Sequence, residues 1–117
     1  LGHLQGMMQA SGTSATINLG SVPILPGTRE LLKNGISPGG THRNLDSLSK
    51  NLSWATTIDD NDKLLLCDAQ TSGGMLISVE PNKVERLQRK LKSEGCLYAL
   101  VVGEIKENDT GKIMIVD

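Results

Sequence analysis

Apolar residues at Leu4, Met7 and Met8 recur at helical intervals from the start of the chain, and the pattern stops at Ser11-Gly12. That spacing predicts a helix ended by a glycine cap. Leu1 already lies within this pattern, and Asp117 directly follows an apolar run, so the chain reads as part of something longer. Residues 15–19 alternate with period two, placing Ala15, Ile17 and Leu19 on one side and Thr16 and Asn18 on the other, the signature of a strand. Pro23 and Pro26 keep residues 22–27 out of a central strand, because proline has no donor for the ladder, whereas Pro26 suits a helix start. A short helix is predicted over residues 27–34, ended by Gly35.

Residues 36–41 form an irregular connection, after which Thr41 is expected to cap a helix from about His42 to Ser49 over Leu45 and Leu48. Residues 52–58 are ambiguous, with strand propensity at Trp54, Thr56 and Ile58. The run Asp59-Asp60-Asn61-Asp62 reads as a solvated turn or helix start, and Leu64 to Cys67 as a buried segment too short to show a period. A polar turn, Asp68 to Gly74, then feeds the apolar run Met75 to Val79, a predicted strand ended by Pro81. Gly73-Gly74 in that turn implies either a backbone conformation barred to other residues or a close approach to the backbone. From Asn82, a candidate cap, Val84, Leu87 and Leu91 mark one face of a helix, with Glu85 and Arg89 paired at i,i+4, and Gly95 ends it. Leu97 to Ile105 and Lys112 to Val116 read as two strands joined by a hairpin-like turn over residues 107–111.

The expected fold class is therefore α/β (α+β), a mixed β-sheet packed with helices. A chain of 117 residues fits one domain spanning 1–117. Aromatic content of 2%, with no Phe, leaves an aliphatic core and argues against a surface that stacks nucleic-acid bases. Twelve Lys and Arg against thirteen Asp and Glu, mixed along the chain, give a net charge of −1, so no basic tract awaits a polyanion. No apolar run reaches the roughly 18–20 residues of a membrane span, and no basic segment precedes an apolar one near Leu1. Neither export nor a membrane is expected, which removes the weight of the sequons at Asn51 and Asn108. Cys67 and Cys96 match no CxxC or zinc spacing and read as reduced core thiols, consistent with a cytoplasmic setting.

Candidate chemistry is sparse. His3 precedes a Met-rich helix face and reads as packed or solvent-facing. His42, between Thr41 and Arg43 after a glycine turn, is the better candidate: a helix start, an imidazole and a guanidinium together can receive an anion, although a plain surface helix start is the commoner outcome. Asp59, Asp60 and Asp62 lack the spacing and closing Glu of a calcium loop. Two glycine motifs, Ser37-Pro38-Gly39-Gly40-Thr41 and Gln70-Thr71-Ser72-Gly73-Gly74, can form anion-receiving nests, but neither matches GxxxxGK[ST] or a strand-then-GxGxxG pattern. With no paired acid and base and no nucleophile set, the chain alone is not expected to complete a reaction.

Taken in order, several motifs carry a resemblance. Leu1-Gly2-His3-Leu4, the Val22 to Gly27 run, Pro38-Gly39-Gly40-Thr41-His42-Arg43-Asn44, Leu66-Cys67-Asp68-Ala69-Gln70-Thr71-Ser72-Gly73-Gly74-Met75-Leu76 and Gly103-Glu104-Ile105 together span nearly the whole chain. This series resembles the C-terminal domain of the selenide, water dikinase (selenophosphate synthetase) family, within the AIR synthase-related superfamily. Ala69 and Met75 stand where that family commonly has proline and leucine.

The resemblance implies an ATP-dependent enzyme making selenophosphate, AMP and phosphate from selenide, ATP and water, with the reactive Cys or selenocysteine, its Lys and the magnesium ligands in a preceding N-terminal domain. It assigns no catalytic, cofactor-binding or metal residue to this chain, and no bound ATP or Mg²⁺. Its implied partners are its own N-terminal domain and, in the whole enzyme, a second copy in a homodimer. Residues Thr71, Ser72, Gly73 and Gly74 are the candidates for the segment closest to the cleft, with Thr41, His42, Arg43 and Asn44 behind them, set against a plain structural turn as the commoner role for both segments. A purine- or thiamine-pathway synthetase of the same superfamily, a stand-alone ligand-binding module and a purely structural domain are the alternatives.

Overall fold

Ile115 is fully buried between two parallel neighbours, facing Ile17 on one side and Trp54 on the other. The computed structural model describes residues 1–117. Its four strands are β1 (Ser14–Asn18), β2 (Leu52–Trp54), β3 (Gly103–Lys106) and β4 (Ile113–Val116), ordered β2-β4-β1-β3. β4 runs parallel to β1 and β2, whereas β3 runs antiparallel to β1, so the sheet is mixed as expected.

Five helices accompany it: α1 (Gly2–Ser11), α2 (Thr28–Lys33), α3 (Gly39–Leu48), α4 (Asp60–Leu66) and α5 (Val84–Ser93). α1 packs on β1 and α3, α3 on α4, and α4 on α2. The alternation read from the sequence sets the core. Ala15, Ile17, Ile113 and Ile115 turn one face of the sheet inward against Leu4 and Met8 of α1 and Leu48 of α3, joined by Leu19, Leu52, Ile58 and Cys67. Met114, one residue from Ile113 and Ile115, is 43% exposed on the other face.

Local signals explain most boundaries. Gly12 takes the left-handed conformation at φ 72° and closes α1 through its N–H, and Asp59 caps α4 by accepting from the Asp62 N–H at 2.8 Å. The acidic run is thus the start of a helix, and Leu64 to Leu66 belong to that helix. Pro81 opens a 3₁₀ turn, Pro81–Lys83, ahead of α5; Asn82 lies inside that turn and supplies no cap. The Glu85–Arg89 pair forms at 2.6 Å.

Three expectations are corrected. Met75 to Val79 forms no strand: it has no ladder partner, and Met75, Leu76 and Ile77 are exposed. Leu97 to Ile105 pairs only from Gly103 onward, because β1, its partner, turns into a 3₁₀ helix at Leu19; the bond from the Asn18 N–H to the Val102 carbonyl, 2.9 Å, is where the pairing ends. Residues 107–111 do not close a hairpin. β1 lies between β3 and β4, and the connection passes around its start, held by Gly111 N–H to the Thr13 carbonyl at 2.8 Å and Ser14 Oγ to Asn108 Oδ1 at 3.2 Å.

Candidate functional site

The first glycine motif forms the start of α3, and that turn lies against Asp68 and Ala69, the two residues that precede the second motif. Pro38 precedes α3 in an extended conformation, and Gly39 and Gly40 form its first two positions. The helix therefore begins earlier than expected. Thr41 is not its cap but sits inside the first turn, completely buried.

Contacts from one face of α3 hold three consecutive residues beyond α4. Asn44 Nδ2 donates to the Cys67 carbonyl at 3.0 Å, satisfying a group at the end of α4 that has no helical partner. Thr41 Oγ1 donates to Asp68 Oδ1 at 3.0 Å and accepts from the Ala69 N–H at 3.3 Å. Gly40 leaves room for Ala69: a Cβ at Gly40 would stand 2.8 Å from the Ala69 Cβ. Beyond Ala69 the loop turns outward. Gln70, Thr71, Ser72, Gly73 and Gly74 are all exposed. A Cβ at Gly73 would meet Gln70 Oε1 at 2.7 Å, whereas one at Gly74 would enter open space, and neither glycine has positive φ. The close-approach reading thus holds for Gly73 alone.

His42 and Arg43 lie on the exposed part of the same turn. His42 Nε2 pairs with Ser37 Oγ at 2.9 Å, but no carboxylate orients the imidazole as a catalytic triad requires. The Arg43 guanidinium folds back over the helix start, with Nη1 3.5 Å from where a Cβ of Gly39 would be. Backbone N–H groups, an imidazole and a guanidinium make this a donor-rich surface suited to receiving negative charge. They supply no activated nucleophile and no acid–base pair.

The remaining candidates lie elsewhere. His3 is exposed on α1. Asp59 caps α4, Asp60 pairs with Lys63 at 2.8 Å, and Asp62 pairs with Arg29, tying α2 to α4. No three His, Cys, Asp or Glu side chains are grouped to hold a metal ion, so the chain's own donors do not fit a magnesium site. Cys67 is 1% exposed, and burial pushes its thiol above the usual range; Cys96 is exposed, so only Cys67 is the core thiol expected. No helix is long and apolar enough to cross a membrane. Sequence reasoning missed Asp68: nothing in a polar turn marks one carboxylate as the partner of a threonine 27 residues earlier.

The family model described as AIR synthase related protein, C-terminal domain, matches residues 1–116. Among similar curated proteins, the selenide, water dikinase of Haemophilus ducreyi is 38% identical over 115 residues, 98% of this chain and 32% of that protein. The enzyme of the same name from Photorhabdus laumondii is 35% identical over the same 98% and 32%, and that from a Shewanella species 46% identical over 67% of this chain and 21% of its own length. The chain spans about a third of the length of the relatives it matches almost end to end. By the match over residues 1–116, and with a mixed sheet backed by helices, the chain belongs to the family of AIR synthase related C-terminal domains.

Proposed function

We propose that residues 1–117 are the C-terminal domain of an ATP-dependent selenide, water dikinase, which converts selenide, ATP and water to selenophosphate, AMP and phosphate. In this reading the nucleotide, Mg²⁺ and the reactive Cys or selenocysteine belong to a preceding domain in a cytoplasmic, homodimeric enzyme. The present domain covers and braces that site, with Thr71 to Gly74 nearest the cleft. The observation that carries the proposal is the packing of Gly40, Thr41 and Asn44 of α3 against Cys67, Asp68 and Ala69, from which the exposed Gln70–Gly74 segment continues. Relatives named for this activity support it.

The chemistry is consistent with that division of labour. Phosphoryl transfer needs metal ions and cationic clamps around the phosphates, and the carboxylates of the Asp59–Asp62 run are already engaged in a cap and ion pairs. What it offers is placement: hydroxyls and backbone N–H groups on an exposed loop anchored at one end. The test compares residues 1–117 with the full-length enzyme, following selenophosphate by phosphorus NMR. The domain alone is expected to fold and form none, while Thr71→Val with Ser72→Ala in the full-length enzyme lowers turnover about tenfold or more, the scale of losing hydrogen bonds to charged groups. Selenophosphate formed by the isolated domain would overturn the proposal.

A further inference from the structure

We infer that Thr41 is a positioning residue whose buried hydroxyl sets the path of the Thr71–Gly74 loop, so that the first turn of α3 acts on the cleft through that loop. The inference rests on the reading above that the loop faces the nucleotide-bearing domain. Thr41 is 0% exposed and touches no cleft itself. Its single hydroxyl donates to Asp68 Oδ1 and accepts from the Ala69 N–H, fixing a side chain and the next backbone amide together. Only a hydroxyl does both at this size; valine keeps the shape and loses both bonds.

The surroundings make this tie decisive for the loop. From Ala69 to Ile77 every residue is exposed, so burial does not hold the path of this segment. Its upstream end is fixed by polar contacts at Cys67, Asp68 and Ala69; the Asp68 N–H bonds the Leu65 carbonyl at 3.4 Å, and the Asp68 side chain and the Ala69 N–H are both held by Thr41. The Gly40–Ala69 contact sets how closely helix and loop approach, and Gln70, packed over Gly73, is the first residue past the tie. His42 lies on the exposed side of the same turn, and the Arg43 guanidinium flanks this contact, with Nη2 3.8 Å from where a Cβ of Gly40 would be.

The experiment uses Thr41→Val and Thr41→Ser, in residues 1–117 for amide hydrogen exchange and in the full-length enzyme for kinetics. Thr41→Val is expected to speed exchange of the Ala69 amide about tenfold or more while β1 and β4 keep their protection, and to lower kcat/KM for ATP by a similar factor; Thr41→Ser restores both. Unchanged exchange of the Ala69 amide in Thr41→Val would overturn the tie. Faster exchange with unchanged kinetics would overturn the placement of the loop at the cleft, and with it the action of α3 there. Should Thr41→Val fail to fold, Asp68→Ala removes the same side-chain bond from the half-buried partner, and the same two readouts apply.

Discussion

A Cβ on Gly103 would fall 2.1 Å from the Thr16 carbonyl oxygen, inside the contact where β3 crosses β1. It would also lie 2.9 Å from Ile17 Cδ1, so the neighbouring strand blocks it with backbone as well as side chain. Gly103→Ala therefore forces the strands apart and is expected to destabilise the domain by about 1–3 kcal/mol, the usual penalty of overpacking. Gly74→Ala, with open space around its Cβ and no positive φ, is expected to stay within about 0.5 kcal/mol of the parent. Urea unfolding of the two variants checks both; equal midpoints would contradict the close contact.

The centre of the sheet gives a second contrast, between adjacent residues. Ile115 is 0% exposed between Ile17 and Trp54, whereas Met114 is 43% exposed on the opposite face. Ile115→Ala is expected to cost about 2–5 kcal/mol through lost burial and the cavity left behind, and Met114→Ala under about 1 kcal/mol. Denaturant midpoints of both variants decide the matter, and a larger loss at Met114 would mean that the strand faces are assigned the wrong way round.

These contrasts show which parts of the fold were legible in the sequence. Period-two alternation at Ala15, Ile17 and Leu19 identified inward residues correctly, since a strand buried on one face must alternate. Glycines at 12, 35 and 95 marked helix ends because each adopts positive φ. Strand propensity failed at Met75 to Val79 and Leu97 to Val102, where no neighbouring strand is available: propensity is local, but a ladder needs a partner. The site was legible as two motifs but not as a contact. Thr41 looked like a cap because helix-start residues with hydroxyls usually are; its actual partner, Asp68, is supplied by tertiary packing that periodicity does not encode.

The two thiols are expected to differ sharply in reactivity. Cys96 is exposed next to Leu97, which is itself 91% exposed, while Cys67 is 1% exposed under the α3–α4 contact. A native-state titration with an aromatic disulfide reagent is expected to modify one thiol rapidly and the second only on unfolding. Cys96→Ser removes the rapid phase; a rapid phase that persists in that variant would show that Cys67 is accessible.

Burial of Cys67 also makes stability depend on alkaline pH. In the unfolded chain the thiol ionises near its ordinary value of 9.0, while in the folded domain burial holds it neutral to higher pH. Above that ordinary value the unfolded state binds fewer protons than the folded one, so unfolding is favoured as pH rises. The contribution is fully present below pH 9.0 and is lost as pH climbs through the raised folded value. Cys67→Ala starts less stable at pH 7, because a buried side chain is truncated, but lacks this alkaline loss. Urea midpoints of parent and variant from pH 7 to about pH 10 should therefore converge. A gap between the two midpoints that stays constant across that range would show that Cys67 ionises equally well in the folded and unfolded chains.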